Sequence, residues 1–344
     1  MRGRNLQEIP ESQPATTARF GLYDIFVGAD GLRAGWGLLL FVFFYEAFKR
    51  FLYSLIVPHL PLAVTETPFI HAGRMIPLEA GALACVLAAT WVLSRAEDGS
   101  VADYGLKDAR AMRNFGVGAL CGGALLSCLV LCLKATGALV FDGRQLFGWA
   151  AFRYSAVWLC GFLFVGLLEE LWFRGYVQFT IARGVRGIFH WLGVRRASAV
   201  GFWTAALLIS FYFGFGHGTN PGESPVGLIA AGLMGVVWCL SLWRSGSLWW
   251  AIGFHVAWDW AESFLFGVGD SGSIIQGHLL TAHPAGRVLL SGGSTGPEGS
   301  VLVFPIIAMA ACAAVSTLPR RRVSGVPAPH PKGTPSPTVA PSLH

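Results

Sequence analysis

Three groups of side chains in this sequence could do chemistry together. The first is Glu169-Glu170-Leu-Trp-Phe-Arg174, set in the apolar run GFLFVGLLEELWFRGYVQF. On a helix Glu170 and Arg174 are one turn apart and share a face, so they pair. Glu169 points about 100° away and lacks a local partner. One arginine cannot satisfy two adjacent carboxylates in such a run, and the spare carboxylate is the residue type of a general base. The second group is Phe213-Gly-Phe-Gly-His217. The third is His255-Val-Ala-Trp-Asp259, whose spacing puts an imidazole and a carboxylate on one helix face, able to orient a water or bind a metal. Glu262, one turn on, reads as a supporting residue or one at the edge of a pore. Each group has a bland reading alone: an ion network, a helix-end histidine, an ordinary pair. Three of them in an otherwise apolar chain point to one buried hydrophilic chamber.

The elements that carry these residues follow from composition. Of 344 residues, 54% are hydrophobic and only 13% charged, with a mean hydropathy of +0.56. A soluble domain has about 25% charged residues, so a soluble enzyme and a disordered chain are both excluded. Apolar runs of roughly 18–25 residues recur, long enough to cross about 30 Å of hydrocarbon as helices. They do not alternate as barrel strands would. The expected fold is all-α: a polytopic transmembrane helical bundle of about eight spans with a buried polar catalytic chamber. The spans are expected near 34–57, 76–94, 115–136, 154–182, 199–217, 225–243, 248–267 and 300–318. Segment 1–33 reads as cytosolic and polar at its start, with 20–32 able to lie on the membrane surface and no signal peptide expected. The Pro-rich basic tail 319–344 reads as disordered, and the Gly- and Ser-rich stretch 269–299 as an irregular loop.

Charge placement orients this bundle. With both termini on one side, that side carries seventeen Lys and Arg, against Arg74, Arg144, Arg153 and Arg287 on the other. The bias makes the basic side cytoplasmic, giving an integral protein of the cytoplasmic membrane with both termini cytosolic. It also accounts for the net charge of +6 without nucleic acid as a partner. The seven cysteines all fall in apolar runs with no CxxC pair, and read as small core residues. Among other charges in the spans, Glu46 and Arg50 are spaced to pair, and Glu79 and Lys134 sit near span ends where they can snorkel. Counted at about 1.5 Å per residue from the cytoplasmic ends, Glu170 lies about 18 Å in, Asp259 about 16 Å, His255 about 10 Å and His217 about 27 Å, so the depths disagree.

In this order and on these helices the three groups resemble the CPBP family of intramembrane proteases, which includes the CAAX prenyl endopeptidases and bacteriocin-processing and immunity relatives. The family pattern is EExxxR, then FxxxH, then HxxxN or HxxxD. The stretch Arg244-Ser-Gly-Ser-Leu-Trp before the third motif is also family-like, and the resemblance covers roughly 150–268. It implies hydrolysis of a peptide bond by an activated water. By that resemblance Glu169 is the base, His217 and His255 orient the water and stabilise the oxyanion with Asp259 helping, and Glu170 with Arg174 holds the helix geometry. Phe213 takes a structural role. Glu170, His217 and His255 are the candidate metal ligands; a zinc site with an open position and a metal-free, glutamate-activated water both fit the residues, so the cofactor stays open. The expected partners are the bilayer and a membrane-anchored peptide or protein substrate.

Rival readings rest on weaker signals. Gly267-Val-Gly-Asp270 matches the GxGD of aspartyl intramembrane proteases, with Tyr23-Asp24 as partner, but both aspartates fall outside the spans. Gly269-Asp-Ser271-Gly272 and Gly292-Gly-Ser294-Thr-Gly296 match serine-protease patterns in loops that nothing positions. No HExxH occurs. From other classes, a non-catalytic scaffold or immunity-type protein, or a transporter, would use the same polar chamber, although no internal repeat of the transporter kind is visible.

Overall fold

The computed structural model describes residues 23–28, 31–60 and 69–319. The expected tail at 319–344 and the polar segment 1–19 thus fall, but for Pro319, outside the described residues. The described residues form a bundle of eight long helices: α1 Ala34–Ile56, α2 Ala72–Ala96, α3 Ala111–Ala135, α4 Gly148–Trp191, α5 Ala197–Gly216, α6 Pro225–Ser245, α7 Trp249–Asp259 continuing as a π-helix over Trp260–Leu265, and α8 Val303–Thr317. Every expected span falls on one of them. Five (α2 to α6) are long and apolar enough to cross a membrane. Helix α1 carries Glu46, Lys49 and Arg50, and α8 has only 15 residues. Large apolar side chains such as Leu120, Phe211, Phe215 and Ile229 stand exposed on the outside of the bundle, a surface suited to lipid and not to water.

Helix α7 is the centre. Residues 250–256 are buried all round, which marks a helix packed on every face. The sequence permits this with glycine. Gly118 and Gly122 on α3, one GxxxG turn apart, meet the carbonyls of Trp250 and Phe254, and Gly253 of α7 meets the carbonyl of Phe115. A Cβ at any of the three would collide with backbone, so the two helices touch main chain to main chain. On another side Gly166 of α4 faces Val256, where a Cβ would come within 2.8 Å of the valine side chain. The two glycine contacts fix α7 against the helices beside it.

Helix α4 is bent at the Glu169-Glu170 motif. It is α-helical over Gly148–Glu169, a π-helix over Glu170–Val177 and α-helical again over Gln178–Trp191, with Gly175 at φ −82° and ψ −123° breaking the ladder. Single π turns of this kind interrupt helices at functional positions. Below the bend Arg183 pairs with Glu97 at 2.6 Å, and Tyr104 donates to the same carboxylate at 2.8 Å, tying α4 to the end of α2.

The disagreement in depth has a structural cause. Helix α4 continues to Trp191, well past the expected end at 182. Counted from there Glu170 is about 32 Å along, comparable with about 30 Å for His217 on α5. Helix α7 starts recessed: Leu248 is fully buried and its N–H donates to the carbonyl of Gly105 at 2.9 Å. Its short count from the first residue to His255 therefore begins inside the molecule.

Two sequence expectations are corrected. The stretch 269–299 is a structured cap. Leu280–Pro284 pairs antiparallel with Leu139–Arg144, Ile274–Ile275 pairs parallel with Phe69–Ile70, and Val288–Ser291 forms a helical turn. Its glycines serve defined turns: Gly272, Gly292 and Gly296 all have positive φ with backbone packed against them. Glu46 pairs with Lys49 at 2.7 Å, not with Arg50; the i,i+3 partner reaches it first.

Candidate active site

Glu170 and Arg174 are both fully buried and 3.0 Å apart, across the first turn of the π segment. Arg174 has no hydrogen-bond partner for Nε or Nη2. Its guanidinium lies instead over aromatic faces, 4.3 Å from the ring centre of Phe213, 5.0 Å from Trp238 and 5.7 Å from Phe173. Stacked rings offset part of the cost of burying a cation. This gives Phe213, the first residue of its motif, its structural work. Gly235 of α6 leaves room for the cation, since a Cβ there would sit 2.6 Å from Nη2.

Glu170 passes its orientation on to His255. The same Oε1 that accepts from Arg174 lies 3.2 Å from His255 Nδ1. The other ring nitrogen, Nε2, is 3.6 Å from Glu169 Oε2 and 3.5 Å from Asp259 Oδ2. Trp238 stacks flat on the imidazole, with ring centres 4.4 Å apart and planes 21° from parallel. His255 is thereby held edge-on by carboxylates and face-on by an indole.

His217 begins the turn after α5, and its Nδ1 lies 2.7 Å from the carbonyl of Phe213. A carbonyl only accepts, so Nδ1 carries the proton and, in the neutral ring, Nε2 keeps its lone pair. Glu169, His217, His255 and Asp259 all line one cavity of about 270 Å³. Glu170 does not line it. Its carboxylate lies behind His255, 3.2 Å from Nδ1, so it acts on the site through that ring. Glu169 Oε2 has no hydrogen-bond partner, while its side chain is 29% exposed. Its Oε2 is buried, with His255 Nε2 3.6 Å away, and the residue lines the cavity.

The candidate metal ligands do not assemble as a set. Glu170 Oε1 is shared between Arg174 and His255, away from His217. Among the described residues the one group of three ligand atoms within 4.8 Å of one another is Glu262, Asp270 and Glu298. Lone donors still face the cavity in His217 and Glu169. Glu262 lines no part of the cavity; it is fully buried.

The sequence missed several wall residues. Glu79, expected to snorkel, lines the cavity beside Glu169 on α2. Trp238, Ser263, Asp270, Ser271 and Glu298 line it too. Trp238 gave no signal because an indole in an apolar run looks like core. Glu79 did, as a carboxylate inside a span. Past the end of α7, Asp270 is pushed up to about 7, by burial first and then by Glu298. The serine patterns are otherwise engaged: Ser294 donates to the carbonyl of Gly222 at 2.8 Å, and Ser271 to Glu298 at 2.9 Å.

Residues 151–261 match the family model of the Type II CAAX prenyl endopeptidase Rce1-like proteins. The match covers 111 of the 344 residues, so it is a likeness of this segment and not of the whole chain. The matched segment holds all three motifs, from Glu169 to Asp259, and agrees within a few residues with the span of the resemblance read from the sequence. It takes in most of α4, all of α5 and α6, and the α-helical part of α7, the helices that supply Glu169, His217, Trp238 and His255. No curated protein and no solved structure matches the chain.

Proposed function

We propose that this protein is an intramembrane endopeptidase that hydrolyses a membrane-associated peptide with a water activated by Glu169 and the two histidines. One observation carries the reading: the Glu169 side chain, His217 with a lone pair at Nε2, and His255 line a single cavity large enough for water. The match of residues 151–261 to a family of peptide hydrolases supports it.

In this reading Glu169 takes a proton from water as the water oxygen adds to the scissile carbonyl carbon. His217 accepts a hydrogen bond from the water through its Nε2 lone pair and orients it, and the oxyanion that forms is stabilised by the Nε2–H of His255. Collapse breaks the C–N bond, and the proton on Glu169 passes to the leaving amine, leaving one new carboxylate and one new amine. Asp259 holds His255 through Nε2, and Glu170 through Nδ1, so the ring is fixed before substrate arrives. A metal, if bound, would use His217 and Glu169 as donors and polarise the same carbonyl.

The substrate class follows from the walls. Apolar helices surround a polar chamber, so a lipidated or helical peptide can dock laterally and gain about 25 cal/mol per Å² of apolar surface buried. Water reaches the scissile bond through the chamber. The test is cleavage of a membrane-anchored peptide library by the reconstituted protein and by Glu169→Gln. The parent should cut and the variant should not. Equal cleavage by both, or cleavage of soluble unanchored peptides alone, refutes the assignment. No cleavage under varied lipid and metal conditions favours a non-catalytic scaffold or a transporter.

A further inference from the structure

Beside the chamber lies a second constellation that the proposed hydrolysis does not use. Glu262 comes from the π-helical end of α7, Asp270 from the turn that follows, and Glu298 from the turn Pro297–Gly299 that leads into α8. One oxygen from each lies within 4.8 Å of the others. Two of the three are already aimed by neighbours. Ser263 donates to Asp270 at 3.0 Å, Ser271 donates to Glu298 Oε2 at 2.9 Å, and the Trp258 indole donates to Glu298 Oε1 at 2.8 Å. The third is the telling one. Glu262 is fully buried, and neither of its oxygens has a hydrogen-bond partner. Among the described residues, no lysine or arginine pairs with any of the three. A buried carboxylate with both oxygens unsatisfied, facing two more carboxylates, is costly unless something positive sits between them.

We infer that Glu262, Asp270 and Glu298 bind one hard divalent cation of the calcium type, which clamps the 269–299 cap to the end of α7. The ligands are all oxygens, with no imidazole or thiolate, which selects calcium or magnesium over zinc. Coordination selects between those two: magnesium demands near-ideal octahedral geometry and keeps several waters, whereas calcium accepts about six to eight oxygens, mostly from protein, in flexible geometry. The serine hydroxyls offer further oxygens for calcium's higher coordination number. Asp270 and Glu298 also form part of the chamber wall, so the ion sets the position of that wall.

The experiment reads binding, not catalysis. The full-length protein in detergent micelles is stripped with EDTA and titrated with terbium(III), exciting tryptophan. Trp258 touches a ligand carboxylate, so its indole should sensitise a bound terbium. The expected result is saturable emission at one site per chain, displaced by calcium at lower concentration than by magnesium. Calcium should also raise the melting temperature. Glu262→Gln should weaken calcium binding at least about 10-fold in an equilibrium assay, while Trp258→Phe should lose most of the sensitised emission and still bind calcium. If Glu262→Gln elutes as an aggregate, Glu298→Gln and Asp270→Asn carry the same comparison. The inference fails if no saturable binding occurs up to about 1 mM, the weak limit of extracellular calcium modules. It fails equally if the folded variants bind as the parent does. Either result would mean that the cluster stays neutral by holding protons instead.

Discussion

Glu169 and Glu170 are neighbours in sequence with opposite surroundings. Glu170 is walled in by Arg174 and His255, and Glu169 opens on the chamber. Their amide variants should therefore fail differently. Glu169→Gln should lower cleavage by at least about 10²-fold, the usual contribution of a general base, with a melting temperature close to the parent's. Glu170→Gln leaves Arg174 buried without its anion and should cost about 3–5 kcal/mol of stability, read by thermal melting in detergent. Matching losses of stability in both would refute the division of roles. Gly235→Ala tests the aromatic cage from the other side. The added methyl meets the guanidinium, and overpacking of this kind costs about 1–3 kcal/mol. The motif residues were legible because a charge in an apolar run is conspicuous and must be explained. Trp238 was not, since nothing in its type separates a ring that stacks on a chamber histidine from one that fills a core.

At the scale of elements, the contact between α3 and α7 decides where His255 and Asp259 stand. Gly122 has no room for a side chain against the carbonyl of Phe254, while a Cβ on its neighbour Gly123 comes no closer than 3.9 Å to Ala257. Gly122→Val should force the helices apart and abolish folding or cleavage together. Gly123→Ala should change stability by less than about 1 kcal/mol and add slightly to helix propensity. Similar melting curves for the two would show that backbone contact does not set the position of α7. The helices themselves were readable from apolar runs, and α6 is capped at both ends by residue types suited to the task. There Ser224 accepts from Gly227, Pro225 opens the first turn and Gly246 closes the last with φ 71°. The two π segments were not readable. An extra residue in one turn leaves the apolar periodicity of a uniformly apolar helix unchanged, and only the three-dimensional packing reveals it. The cap at 269–299 escaped for a related reason: its strands pair with residues far away in sequence, and its glycines look like linker.

At the scale of the whole molecule, the chamber has a direction. Its walls are α4 from Phe162 to Glu169, α6 from Ala230 to Trp238 and the ends of α2, α5, α7 and α8 nearest the 269–299 cap, together with Ile70, Asn220, Asp270 and Glu298 from the connections on that side. That is the side with few basic residues: Arg74, Arg144, Arg153 and Arg287, against seventeen Lys and Arg on the opposite connections and tails. Basic residues stay cytoplasmic during insertion, so the chamber mouth should face away from the cytoplasm, and the substrate should be anchored in, or presented at, the outer leaflet. The prediction is tested in a variant freed of its seven native cysteines, with single replacements Arg287→Cys beside the cap and Arg195→Cys in the connection between α4 and α5, both exposed. A membrane-impermeant maleimide added to intact cells should label the first and spare the second until the cells are lysed. Labelling of Arg195→Cys alone would invert the molecule, place the mouth on the cytoplasmic side and move the substrate to the inner leaflet. Because the arrangement of Glu169, His217 and His255 is the same either way up, that outcome would change which peptides can reach the site and leave the proposed chemistry at the site intact.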